Sequence, residues 1–162
     1  MEGPWPGRLA LCSRPRSGWF LEDDIQSLRP AGYDILVSAL TPEEMTKLGL
    51  EAVPAVCATH GVEFVHFPVG NLMVPAFDIA LPVLAAWHEA LRQGRGLAVH
   101  CWGTVGRSPT LAAALLALGA VEPDEAWRRV EAARGREVPD TLEQRQWVSA
   151  VVQMRPLTDP ER

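Results

Sequence analysis

Short apolar runs alternate with stretches of helical period along this chain, and turn residues mark the boundaries. Tyr33–Ala39 (YDILVSA) is apolar and β-branched between Gly32 and Thr41, and predicts a buried strand. Val62–Phe67 (VEFVHF) alternates and predicts a second strand; Gly96–Cys101 (GLAVHC) is a short apolar third. An edge strand is expected at Arg8–Cys12, inside an irregular lead-in over residues 1–16 that carries Pro4, Pro6 and Pro15. Leu21–Leu28 predicts a short helix whose Glu22, Asp23 and Asp24 suit the positive end of its dipole. Thr41-Pro42-Glu43-Glu44 is a helix start, with Thr as cap and Pro in the first position. Further helices are expected at Val53–Thr59, Phe77–Gln93, Pro109–Leu118, Pro123–Ala133 and Thr141–Met154, with Phe67–Pro75 (FPVGNLMVP) as a loop. Pro109–Leu118 is apolar nearly all round, which predicts burial on most sides. Residues 156–162 read as a polar, frayed tail. This order predicts one α/β domain over residues 1–162, a central, largely parallel sheet flanked by helices.

Composition narrows the function classes. The 162 residues suffice for a sizeable core, and a net charge of −5 argues against nucleic acid or an anionic membrane as partner. No apolar run approaches the roughly 20 residues that span a bilayer. The N-terminus carries no secretory pattern. Three cysteines at wide spacing suggest no disulfide framework, so a cytoplasmic location is expected. The four histidines, His60, His66, His88 and His100, match no compact ligand spacing, and neither metal nor cofactor is expected.

The chemistry lies in HCWGTVGRS, His100 to Ser108. Cys101 stands six residues before Arg107, with Gly103 and Gly106 between them. A Cys-x5-Arg spacing alone is weak evidence, and the other two cysteines lack it: Gly18 follows Cys12 at that distance, and Glu63 follows Cys57. Around Cys101 several conditions coincide: a strand before, a helix after, glycines within and a hydroxyl behind the arginine. Backbone N–H groups of residues 102–107 (Trp102, Gly103, Thr104, Val105, Gly106, Arg107) can turn inward to hold phosphate oxygens. The same field stabilises a negative sulfur at Cys101. Arg107 supplies a planar fork for two phosphoryl oxygens, and Ser108 a hydrogen bond to the sulfur. His100 is expected to order the loop through its ring nitrogens, and Trp102 to wall the pocket mouth.

HCWGTVGRS resembles the signature of the cysteine-dependent protein tyrosine and dual-specificity phosphatases. WFLEDDIQSLRPAGYDILVSALTPEE is similar to the N-terminal region of their small, kinase-associated-phosphatase-like (bacterial-type) members. FPVGNLMVP resembles their general-acid loop, and VPDTLEQRQWV the late segment with a water-positioning Gln. The resemblance spans roughly residues 17–155. It implies a dual-specificity phosphatase-like fold, Cys101 as nucleophile through a phosphocysteine, Arg107 as phosphate clamp and Gln144 beside the hydrolytic water. The implied partner is a phosphorylated protein or small phosphate ester.

Two positions depart from that pattern. Asn71 stands where the family carries its general-acid Asp, and an amide gives no proton to a leaving oxygen. General acid catalysis is commonly worth about 10²–10⁴-fold. Activity is therefore expected to be low, or the acid relocated to Asp78 or Asp140. Thr104 replaces the usual Gly, which predicts a strained or shifted loop. Arg128, Arg129, Arg134 and Arg136 are expected on a solvated helix face. The alternative to an enzyme is a catalytically impaired module that binds phosphate or a phosphoprotein (a pseudophosphatase). A rhodanese-type sulfurtransferase is a third possibility, disfavoured by Ser108 and the Gln144 segment.

Overall fold

The computed structural model describes residues 1–154. The tail expected at 156–162 lies outside the described residues. Four parallel strands form one sheet in the order β1-β4-β2-β3: β1 is Arg8–Leu11, β2 Ile35–Ser38, β3 Glu63–His66 and β4 Gly96–His100. Among the described residues, seven α-helices accompany it: α1 (Leu21–Gln26), α2 (Pro42–Lys47), α3 (Val53–Thr59), α4 (Phe77–Arg92), α5 (Arg107–Leu118), α6 (Pro123–Arg134) and α7 (Leu142–Gln153).

The two central strands are buried at every position, whereas β1 and β3 are partly exposed at the sheet edges. Alternate side chains of the central strands enter opposite layers. Ile35, Val37, Leu97 and Val99 join the larger core with α4, α5, α6 and α7. Leu36 and Ala98 join a smaller core with Leu21, Ile25, Met45, Val53 and Cys57 of α1, α2 and α3. Among the described residues, no helix is long and apolar enough to cross a membrane.

α5 is the axis of the larger layer. Eleven of its twelve residues are buried, from Arg107 through Ala117, and it packs on α4, α6 and α7. It begins at Arg107 with Gly106 as N-cap, two residues before the expected start at Pro109. The arginine and serine of the loop thus belong to the first turn of a buried helix.

Ligand sites in parallel sheets lie beyond the carboxyl ends of the strands. Here all four strands run toward one such end. β1 delivers Cys12–Arg14, β2 delivers Thr41 and Glu44, β3 delivers the loop with Asn71, and β4 delivers Cys101–Arg107.

Candidate active site

Glu44, Asn71, Leu72, Cys101, Arg107 and Asp140 line a cavity of about 460 Å³, together with other residues of the 101–107 loop. Cys101 is 2% exposed and accepts a hydrogen bond from Ser108 Oγ at 3.2 Å. The other two thiols are unsuited to attack. Burial, helped by the charge of nearby Cys101, pushes Cys12 up to about 12; burial pushes Cys57 up to about 11. Both stay protonated at neutral pH.

Arg107 is 3% exposed, and its bonds fix which edge faces the cavity. Nη1 donates to Glu44 Oε2 at 2.6 Å and to the carbonyls of Val69 at 2.9 Å and Ala39 at 3.4 Å. Nη2 donates to Glu44 Oε1 at 3.0 Å. A guanidinium has five N–H donors. Those contacts engage both hydrogens of Nη1 and one of Nη2, so Nε–H and the second Nη2–H form the remaining fork. That edge has the spacing for two phosphoryl oxygens. Burial raises the Glu44 carboxyl, but the Arg107 hydrogen bonds, the Thr41 N–H and the Arg107 charge outweigh it and hold Glu44 below its ordinary value.

Two further arginines shape the loop. Arg14 Nη1 donates to the Trp102 carbonyl at 2.6 Å. Arg134 donates from Nε to the Thr104 carbonyl at 2.7 Å and from Nη2 to the Gly103 carbonyl at 3.3 Å. In a planar trans peptide the C=O and the following N–H point in opposite directions. Drawing three successive carbonyls toward Arg14 and Arg134 therefore turns the N–H groups of residues 103–105 the other way. Arg134 was expected on a solvated face; the loop carbonyls claim it because α6 ends beside them. Arg128 and Arg129 do lie on such a face, paired with Glu125.

Thr104 has φ 56°, the left-handed region that a β-branched residue rarely adopts. Its hydroxyl donates to the Cys12 carbonyl at 3.1 Å and offsets part of that strain. Trp102 lines the cavity, with Arg14 Cζ 5.4 Å and Lys47 Nζ 5.6 Å from its ring centre. His100 is buried, with Nδ1 3.4 Å from the Cys101 carbonyl, whereas Nε2 has no partner among the described residues. Burial pushes this imidazole down to about 4, so it is neutral at pH 7.

The two late segments also meet the loop. Gln144 is fully buried; its Oε1 accepts from Thr41's counterpart cap on α7, the Thr141 N–H, at 3.3 Å, and its Nε2 donates to the Met73 carbonyl at 3.3 Å. Asn71 is exposed at the rim of the cavity, beside Leu72 at φ 61°. Asp78 is not brought to the cavity: it is exposed in the first turn of α4, where its Oδ1 accepts from the Ile79 N–H. Asp140 is brought there. A Cβ placed on Gly106 would meet Asp140 Oδ2 at 2.3 Å and the Gln144 amide at 2.9 and 3.0 Å. Among the described residues, no group of three His, Cys, Asp or Glu could hold a metal ion.

Sequence reading placed Cys101, Arg107 and Ser108 together but missed Glu44, Arg14 and the contact made by Arg134. Glu44 gave only a helix-start signal: its Oε2, which accepts from Arg107, also accepts the Thr41 N–H of the capping box.

No curated protein matches the chain. Solved structures match it in fold. Kinase associated phosphatase with serine at its catalytic-site cysteine gives a TM-score of 0.79 at 19% identity, covering 91% of this chain and 89% of that one. Tk-PTP in the active form gives 0.74 at 25% identity, covering 91% and 93%. Human DUSP28 gives 0.67 at 22% identity, covering 94% and 98%. Residues 12–120 match the family Tc-R-P, described as polymorphic toxin system, DSP-PTPase phosphatase. With the cysteine loop, its arginine and the strand ends that support them inside that match, the chain belongs to the Tc-R-P family of DSP-PTPase phosphatases.

Proposed function

We propose that this protein hydrolyses phosphate monoesters through a phosphocysteine, as a protein phosphatase of the tyrosine or dual-specificity type. The observation that carries the reading is the free Nε–Nη2 edge of Arg107 in the same cavity as the Cys101 sulfur. The phosphoryl oxygens dock on that edge and on the loop N–H groups, which places phosphorus over the sulfur. Cys101 attacks, the ester oxygen leaves, and water then cleaves the S–P bond. The Ser108 hydroxyl stabilises the sulfur as it departs with its electron pair. Gln144 has one Nε2–H beyond its bond to Met73, and that hydrogen serves to hold the water.

The substrate is a phosphorylated protein or small phosphate ester, and neither cofactor nor metal is needed. The cytoplasm, where thiols stay reduced, suits three free cysteines. Asn71 sets the preference among esters. A phenol has a pKa of about 10 and leaves without a proton donor, whereas an alkoxide does not. Phosphotyrosine and other aryl phosphates therefore react faster than phosphoserine. Rates on an aryl and an alkyl phosphate test this, with Cys101→Ser as control; equal rates, or release that survives the Cys101 substitution, refute it. Asn71 also favours a second reading, an impaired phosphate-binding module. Saturable binding of inorganic phosphate with no release from an aryl ester would establish that instead.

A further inference from the structure

Water cannot attack a phosphocysteine without losing a proton, and the Asn71 amide accepts none at neutral pH. We infer that Asp140 is the general base for this second step, a role that rests on the phosphocysteine reading above. The carboxylate lies in the cavity with Cys101 and Arg107 and borders the N-terminus of α5. Its Oδ2 and both polar atoms of the Gln144 amide converge on the space above Gly106, where any side chain would collide with them. The Asp140 carboxylate and the Gln144 amide are therefore packed side by side on Gly106, and water held by the amide on the cavity side is in reach of a proton acceptor. This part of the chain follows residue 120, beyond the segment that matches the family.

A carboxylate beside Thr141 could instead only complement the α7 dipole. Asp140 differs from such a residue in facing across to Gly106, the N-cap of another helix. In the proposed step the water oxygen bonds to phosphorus, the S–P bond breaks, and sulfur keeps the electron pair. The water proton passes to the Asp140 carboxylate and then to solvent, and inorganic phosphate leaves. The first step with an aryl ester needs no such group, since phenolate departs unaided.

Rapid mixing with para-nitrophenyl phosphate separates the two steps. In Asp140→Asn the phenol burst keeps its wild-type rate, steady-state release falls about tenfold or more, and phosphorylated enzyme accumulates. Asp140→Glu, which retains a carboxylate, recovers much of the turnover. Asp140→Ser gives a second test if the amide disturbs the loop. An unchanged steady state in both neutral variants overturns the role, as does an equal fall in burst and steady state. Phenol release that survives Cys101→Ser overturns the phosphocysteine reading itself, and this role with it.

Discussion

Replacing Glu44 by Gln removes one charge and almost no volume from beneath Arg107. The carboxylate now accepts two guanidinium bonds, at 2.6 and 3.0 Å, with its side chain 19% exposed and that of Arg107 2% exposed. An amide presents one oxygen and one NH₂, so one bond keeps only the arginine's charge and the other sets donor against donor. A charged hydrogen bond is worth about 1.5–3 kcal/mol and a neutral one about 0.5–1.5 kcal/mol. The gross loss is about 2–4 kcal/mol, reduced by the smaller desolvation cost of the amide to about 2 kcal/mol. In a domain of this size that lowers Tm by roughly 4–8 °C.

The catalytic effect comes from the freed guanidinium, whose Nε–Nη2 edge no longer keeps its heading. If about 1.4–2 kcal/mol of that loss is felt in the transition state, kcat/KM falls roughly ten- to thirtyfold. The fall is carried by kcat, because the lost carboxylate also stops competing with phosphate for the arginine charge. Steady-state kinetics on an aryl phosphate measure it. A lowered Tm with kcat/KM within about twofold of wild type would refute the positioning role and leave Glu44 as scaffold. The pH dependence has a definite sign. The folded-state pKa of Glu44 is depressed, so its stabilising contribution is present above the unfolded value of about 4.3 and is lost as pH falls through the lower folded value. The Tm gap between wild type and Glu44→Gln is therefore full at neutral pH and closes in acid.

Three other outcomes follow from the same geometry. Asn71→Asp restores a proton donor at the cavity rim and raises the rate on an alkyl phosphate about tenfold or more; no gain places residue 71 away from the leaving oxygen. Arg134→Ala releases the Gly103 and Thr104 carbonyls and weakens inhibition by inorganic vanadate roughly three- to tenfold, and unchanged inhibition would show that Arg14 alone holds the loop. His100 is held down at about 4 by burial, so between about pH 6.5 and 4 the unfolded chain binds a proton that the native one refuses. Stability then falls as pH drops through that window, and an NMR titration in which the His100 ring shifts near pH 6.5 would contradict it.

The legible part of this site is the part that is contiguous in the chain. Cys101, Gly103, Gly106, Arg107 and Ser108 share one strand–loop–helix unit, so local spacing carries their geometry. Strand β3, from its alternation, and the buried α5 are likewise visible as patterns of polarity. What holds the loop in shape comes from elsewhere. Arg14 bonds across 88 positions, Glu44 across 63 and Arg134 across 30, and no periodicity encodes such partners. They meet because four parallel strands end on one side, a property of sheet order. Thr104 was legible as a misfit for its position, but the Cys12 carbonyl that receives its hydroxyl was not. Asp78 and Asp140 looked alike as candidate acids; only the packing of α7 against α5 separates them.

Acid-quench trapping on an aryl phosphate, followed by peptide mass spectrometry, tests the central claim most directly. The account predicts one phosphoryl group on the peptide containing Cys101, formed at the rate of the phenol burst and missing in Cys101→Ser. Turnover with no such adduct, or an adduct on any other residue, would contradict it.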